Sequence, residues 1–135
     1  MKREIVIDTS YLIILLKQQR IDSLVKEYIP YIVDISLYEY LRGEHYIGRD
    51  VNKAKNYLEK IFNIIHLDNK IILKACEIWS KLAKKGELIP EPDIIIGASC
   101  IVNDLPILTL DEDFKRLEEY GLKIENINNK NSNPI

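Results

Sequence analysis

Short apolar runs rich in β-branched residues alternate along this chain with longer segments whose apolar residues recur at helical spacing. The runs predict strands at residues 5–7, 31–35, 63–67, 106–110 and 123–127. The segments between them predict helices at residues 11–16, 21–28, 37–44, 51–61, 71–82, 93–102 and 112–120. Strands separated by helices are joined by right-handed crossovers, which place the strands in one mostly parallel sheet. The pattern therefore predicts an α/β fold.

Helical spacing also predicts which faces are buried. The helix at residues 11–16 is almost wholly apolar, so we expect it to pack on most sides. In the helix at residues 71–82, we expect the inward face to be Ile72, Ala75, Trp79 and Leu82. Pro30 is expected to close the helix at residues 21–28.

Composition and charge narrow the class of protein. Of 135 residues, 47% are hydrophobic and 30% are charged, which is typical of a globular domain rather than a disordered chain. The formal net charge of −2 argues against a general electrostatic binder of nucleic acids, although an acidic metal site would lower the charge of a nuclease. We expect one domain at residues 1–127 and a flexible tail at residues 128–135.

No targeting or cross-linking signal is visible in the sequence. No apolar run approaches the roughly 20 residues that a membrane span requires. Asp8 interrupts the apolar stretch near the start, which argues against a secretory signal. Cys76 and Cys100 lie in helical patterns, where we expect buried, reduced thiols rather than a disulfide. These features predict a cytoplasmic protein.

Acidic residues occur where strand patterns give way to helices. The four that stand out are Asp8, Glu39, Asp93 and Asp111. Taken singly, the three aspartates are explained as helix N-caps and Glu39 as part of a solvated helix face. Taken together near apolar runs, carboxylates would repel one another unless a cation held them. Mg²⁺ prefers such oxygen ligands, so the set predicts a divalent-metal site near the carboxyl edge of the sheet.

Some neighbouring residues could contact a substrate. Arg42 and Arg49 could hold phosphate groups near Glu39, although a solvated helix face is the simpler interpretation. Tyr38 could stack on a base, or it could pack against protein. The residues alone leave these alternatives open.

Four segments, in this order, resemble the PIN-domain nucleases, especially the VapC-type toxins. They are IVIDTSYLI, SLYEYLRGE, PEPDIIIGASC and ILTLDEDFKRL. The resemblance implies a three-layer α/β/α fold with a sheet of about five strands. It also implies an endoribonuclease that depends on Mg²⁺ or Mn²⁺, with Asp8, Glu39, Asp93 and Asp111 as its catalytic and metal-binding residues.

The same resemblance assigns secondary positions and partners. Asp113 matches an accessory acidic position, and Thr109 and Ser10 match hydroxyl positions near the site. The implied partners are an RNA substrate, a small antitoxin protein whose segment covers the active-site groove, and a second copy of the chain.

Three other functions remain open at this point. The first is an RNA-processing nuclease of the same fold without an antitoxin, and the second is a binding module without catalysis. The third is a phospho-receiver or phosphatase-like protein, which would need an acidic pair after the first strand. Because Asp8 stands alone after its strand, the sequence argues against the third.

Overall fold

The computed structural model describes residues 1–125, in which four parallel strands form one sheet. The strands are β1 (Arg3–Ile7), β2 (Tyr28–Val33), β3 (Asn63–Ile65) and β4 (Ile107–Leu108). The helices are α1 (Thr9–Lys17), α2 (Ile21–Glu27), α3 (Asp34–Tyr46), α4 (Val51–Ile61), α5 (Asn69–Lys85), α6 (Glu91–Asn103) and the 3₁₀ helix η1 (Glu112–Tyr120). The strand order is β3-β2-β1-β4, so the predicted α/β fold with a parallel sheet is confirmed.

Within residues 1–125 the sheet has four strands, close to the number of about five that was expected. Within the predicted strand at residues 123–127, Ile124 forms only an isolated parallel bridge to Ile107. Residues 126 and 127, and the tail predicted at residues 128–135, lie outside the described residues. The assignment of one domain at residues 1–127 stays a prediction.

Two hydrophobic cores cover the two faces of the sheet, because neighbouring residues of each strand point to opposite sides. Ile5 and Ile7 pack with α1 to α4, whereas Val6 packs with α5, α6 and η1. Leu108 and Ile107 divide between the same two cores. Helices therefore lie on both faces, and the implied three-layer α/β/α arrangement is confirmed.

The predicted boundary between the second helix and the second strand is wrong. Pro30 lies inside β2, where it pairs with Ile5, and does not close a helix. The strand accommodates a proline because β3 pairs with β2 only from Tyr31 onward, so Pro30 lies where that side of β2 is still an edge. The helix after β2 begins at Asp34, earlier than predicted, and continues through Gly43 to Tyr46.

The buried face of α5 also differs from the prediction. Ile72 and Trp79 are 43% and 45% exposed, and the fully buried residues are Ile71, Ile78 and Leu82. Both sets recur at helical spacing, so the spacing could not decide between faces about 100° apart.

Of the two cysteines, Cys100 is buried as predicted but Cys76, on α5, is exposed. Both thiols are free. Within residues 1–125, no helix is both long and apolar enough to cross a membrane.

A close approach between α6 and η1 depends on Gly97. A Cβ atom at this position would lie 2.3 Å from Cδ1 of Leu117, which is fully buried on η1. Since Leu117 is fully buried in a close-packed interior, its side chain would have to shift against its neighbours to make room. The glycine therefore sets the spacing between the helix that carries Asp93 and the helix that begins after Asp111.

We expect Gly97→Ala to lower the free energy of unfolding by about 1–3 kcal/mol, since the added methyl group overpacks the contact with Leu117. Gly43→Ala is the matched control, because Gly43 also lies inside a helix but a Cβ atom there would have no neighbouring atom within 4 Å. That control should be neutral or gain up to about 1 kcal/mol of helix propensity. Urea unfolding of both variants measures the difference, and equal stabilities would contradict the proposed contact.

Candidate metal centre

The pairing of β1 with β4 brings two of the predicted site residues together. Ile7 lies opposite Leu108, so the next residue of each strand, Asp8 and Thr109, emerges at the same carboxyl edge. The Thr109 hydroxyl donates to Oδ2 of Asp8 at 2.7 Å, although 101 positions separate the two residues. The Asp111 backbone N–H in turn donates to Thr109 Oγ1 at 2.9 Å. Thr109 therefore links the carboxylate at the end of β1 to the segment that follows β4.

Two of the three predicted site aspartates cap helices. The other oxygen of Asp8 accepts the Tyr11 backbone N–H at 3.1 Å, which caps α1. Asp111 caps η1 by accepting the Asp113 backbone N–H at 2.9 Å. Because these caps fix the side-chain rotamers, they also fix where the remaining carboxylate lone pairs point. Capping and ligation are therefore compatible functions of the same carboxylates.

Asp93 is not a cap. It is the third residue of α6, whose N-cap residue is Pro90 and has no capping side chain. Three aspartates each place one carboxylate oxygen within 4.8 Å of a carboxylate oxygen of the other two. They are Asp93, Asp111 and Asp113. All three side chains are half-buried. This spacing is short enough for one cation to contact them together.

Glu39 reaches the same region from α3. Its Oε1 atom lies 2.8 Å from Oγ1 of Thr9, the residue after Asp8. The side chain is half-buried, so Glu39 lies at the edge of the solvated helix face and not in its middle. The field of Glu39 also acts on Asp93, together with the fields of Asp8, Asp111 and Asp113. The five carboxylates thus form one electrostatic group, which we call the acidic cluster.

Burial and mutual repulsion disfavour ionisation in the acidic cluster. Burial, followed by the negative charges of the four other carboxylates, raises the pKa of Asp93 to about 7. Burial also raises the pKa of Asp8 to about 6, although hydrogen bonds from Thr109 and Tyr11 act in the opposite direction. Carboxyl groups with such raised pKa values are typical of functional sites.

The donor set fits a hard divalent cation. It consists of carboxylate and hydroxyl oxygens, which Mg²⁺ and Mn²⁺ accept, and lacks the histidine and thiolate ligands typical of zinc. A bound cation would replace the repulsion within the acidic cluster by attraction. It could also neutralise a phosphate and lower the pKa of a water molecule.

The other predicted residues are less closely connected to the cluster. Ser10 is exposed in the first turn of α1 and makes no side-chain hydrogen bond among the described residues. The Arg42 guanidinium lies over the Tyr38 ring, 5.3 Å from its centre, on the exposed surface of the helix that carries Glu39. Arg49 pairs with Glu44 at 3.3 Å.

One residue that touches this region was missed by sequence reasoning. Ser36 is fully buried on α3, and its hydroxyl oxygen lies 2.8 Å from Thr9 Oγ1. Its position three residues before Glu39 was the signal that could have identified it, since such residues share a helix face.

Comparison with known proteins adds independent information. A model of the PIN domain family matches residues 5–120 of this chain. Ribonuclease VapC1 of Methanocaldococcus jannaschii is 34% identical over 124 residues, which cover 90% of this chain and 86% of that protein. A VapC ribonuclease of Pyrococcus furiosus is 29% identical over 91 residues, which cover 65% of this chain and 60% of that protein.

Solved structures share the fold. VapBC-1 from nontypeable Haemophilus influenzae has a chain that superposes with a TM-score of 0.77 at 20% identity, covering 91% of this chain and 97% of that one. VapBC2 from Rickettsia felis, bound to a DNA fragment from its promoter, gives a TM-score of 0.76 at 21% identity, covering 91% and 98%.

The raised pKa of Asp93 predicts how the stability of the metal-free protein depends on pH. Between about pH 4 and pH 7, the folded state binds more protons than the unfolded state, whose aspartates titrate near 4. The free energy of unfolding therefore falls as pH rises through this window. We expect Asp93→Asn to remove this pH-dependent fall in the free energy of unfolding. After allowance for solvent screening, the variant should be roughly 2 kcal/mol more stable than the parent at pH 8. At pH 4 the two proteins should be equally stable.

Urea unfolding in the presence of a chelator, at several pH values, measures this effect. Glu118→Gln, which neutralises an exposed carboxylate on η1, is the control and should follow the parent at every pH. A parent more stable than Asp93→Asn at pH 8 would show that this carboxylate is not under electrostatic strain.

Proposed function

This chain belongs to the PIN domain family, and we propose on that premise that it is a metal-dependent endoribonuclease acting as the toxin of a type II toxin–antitoxin pair. The observation that carries the proposal is the acidic cluster at the carboxyl edge of the sheet, where ligands bind in parallel α/β folds. The order of motifs and the 34% identity to a ribonuclease over 90% of the chain support it.

The proposed cofactor is Mg²⁺ or Mn²⁺. Asp93, Asp111 and Asp113 would hold it, since their oxygens already lie within 4.8 Å of one another. Asp8 and Glu39 flank this group and would bind the ion directly or through water, or hold a second ion. We therefore assign Asp113 a fuller part than an accessory one.

The reaction proposed is hydrolysis of an RNA phosphodiester bond. A water oxygen attacks phosphorus in line, the bond from phosphorus to the 3′ oxygen breaks, and the products carry a 5′-phosphate and a 3′-hydroxyl group. The residues of this chain would orient the scissile phosphate at the acidic cluster. Thr109, by donating to Asp8, would keep that carboxylate directed at the site in both protonation states.

Contacts to the substrate are proposed for the exposed surface next to Glu39. Arg42 and Tyr38 stack on each other there, and the tyrosine is 57% exposed. A guanidinium group can bind phosphate while an exposed ring stacks on a base. Arg49 is a weaker candidate, because its guanidinium group is already paired with Glu44.

Asp93→Asn should abolish RNA cleavage while the protein stays folded. The substitution removes a negative charge from the ion site but keeps the shape of the side chain, and Asp93 has no capping role to lose. We expect a fall in the rate of about 10³-fold or more, comparable with removal of one strong electrostatic contribution to catalysis. Cleavage of a labelled single-stranded RNA panel with Mg²⁺ or Mn²⁺, and with a chelator, measures this.

The matched control is Asp104→Asn, which changes an exposed aspartate at the other end of the same helix. It should cleave RNA at the parental rate. Cleavage by Asp93→Asn at that rate, or cleavage by the parent in chelator, would show that the site is misassigned.

The proposed protein partners are a small antitoxin, whose segment covers the active-site groove, and a second copy of this chain in a homodimer. Support for a homodimer comes from an apolar groove of about 490 Å³ between α5 and α6. It includes Trp79, Ile72 and Leu67, which are exposed. We propose that the chain and its antitoxin act in the cytoplasm, where the RNA substrate is found.

Expression of the chain alone should arrest growth of the host cell, because unregulated RNA cleavage is toxic. Co-expression with the neighbouring open reading frame should restore growth, and Asp93→Asn should be harmless without it. Growth arrest that no neighbouring frame relieves would instead favour an RNA-processing nuclease of the same family.

A further inference from the structure

The hydroxyl group of Ser36, a buried serine in a helix, contacts a residue outside its own helix. It is fully buried, and its Oγ atom lies 2.8 Å from Oγ1 of Thr9, 27 positions away. Ser99, the other fully buried serine among residues 1–125, instead donates to the carbonyl oxygen of Ile95 in its own helix, at 2.7 Å. A helical serine thus has a local partner within reach, and Ser36 contacts a distant hydroxyl group instead.

The direction of the hydrogen bonds follows from counting protons. Thr9 Oγ1 lies 2.8 Å from Glu39 Oε1 and also 2.8 Å from Ser36 Oγ. An ionised Glu39 can only accept, and the Thr9 hydroxyl has one proton, so Thr9 donates to Glu39. Thr9 can then only accept from Ser36. The serine proton therefore fixes the threonine proton toward the carboxylate.

This chain of hydroxyl groups connects two parts of the acidic cluster. Ser36 and Glu39 lie one turn apart on α3, and Thr9 follows Asp8 at the start of α1. The contact therefore ties the helix that carries one carboxylate to the residue beside another. Partners of this kind orient a ligand without touching the metal ion themselves.

We propose that Ser36 is a positioning residue for the divalent-cation site, which acts through Thr9 to hold the Glu39 carboxylate toward Asp8 and Asp93. The inference rests on the proposed function, because it assumes that the acidic cluster binds a cation. It adds a residue that lies behind the cluster and contacts none of its carboxylates directly among the described hydrogen bonds.

The affinity of the purified protein for Mn²⁺, in the absence of RNA, tests this directly. It is measured in electron paramagnetic resonance by the loss of the free-ion signal. We expect Ser36→Ala to weaken Mn²⁺ binding roughly 10-fold, as loss of an outer-shell partner does. Thr9→Val should cause a similar loss, and Thr9→Ser, which keeps the hydroxyl group, should restore parental affinity. Ser99→Ala is the matched control and should bind Mn²⁺ as the parent does.

The double variant Thr9→Val with Ser36→Ala separates positioning from general loosening of the fold. If Ser36 acts through Thr9, the double variant should bind Mn²⁺ no more weakly than Thr9→Val alone. Losses that multiply in the double variant would overturn the inference, and so would parental affinity in folded Ser36→Ala. Ser36→Cys, which is close in size but a poor donor, carries the same expectation if Ser36→Ala does not fold.

The parent protein distinguishes failure of this inference from failure of the proposed function. Suppose that the parent binds Mn²⁺, that Glu39→Gln binds it more weakly, and that Ser36→Ala and Ser36→Cys bind it as the parent does. This result would overturn only the role of Ser36. A parent that neither binds Mn²⁺ nor cleaves RNA would overturn the proposed function and this inference with it.

Discussion

Repulsion among carboxylates at the carboxyl edge of the sheet is the constraint on which the site depends. Burial and the fields of its four neighbours raise the pKa of Asp93 to about 7, so ionisation of this carboxyl group costs the folded chain free energy. Five acidic side chains remain in place because other interactions, made elsewhere in the fold, provide the stability that offsets their repulsion.

Ordinary structural interactions hold most of these carboxylates. Asp8 and Asp111 are helix caps, Thr109 bridges the ends of two strands, and Thr9 joins Glu39 to the start of α1. Each of these hydrogen bonds removes rotamer freedom from a side chain of the acidic cluster. Preorganisation of this kind would reduce the cost of binding the proposed cation, because the carboxylates would need little rearrangement.

Backbone packing also positions the carboxylates. Val6 and Ile7 pair with β4, which places the residues after both strands at one edge. Gly97 allows α6 to approach η1 closely, and this brings Asp93 toward Asp111 and Asp113. The site is therefore the meeting point of four segments, each positioned by a different part of the two cores.

The sequence by itself determined the alternation of strands and helices, the parallel sheet and the acidic residues that gather at its edge. Those properties follow from local patterns, because apolar periodicity and strand-to-helix junctions are written in consecutive residues. Tertiary structure decided that Pro30 lies within a strand, that α5 turns Ile78 rather than Trp79 inward, and that Asp93 caps nothing while Asp8 and Asp111 do. It also decided that Ser36 contacts Thr9. Each of these outcomes depends on which distant segment packs against the residue. The local pattern fits either face of α5 equally well, and it fits either partner of a helical serine, a carbonyl oxygen of its own helix or a distant hydroxyl group.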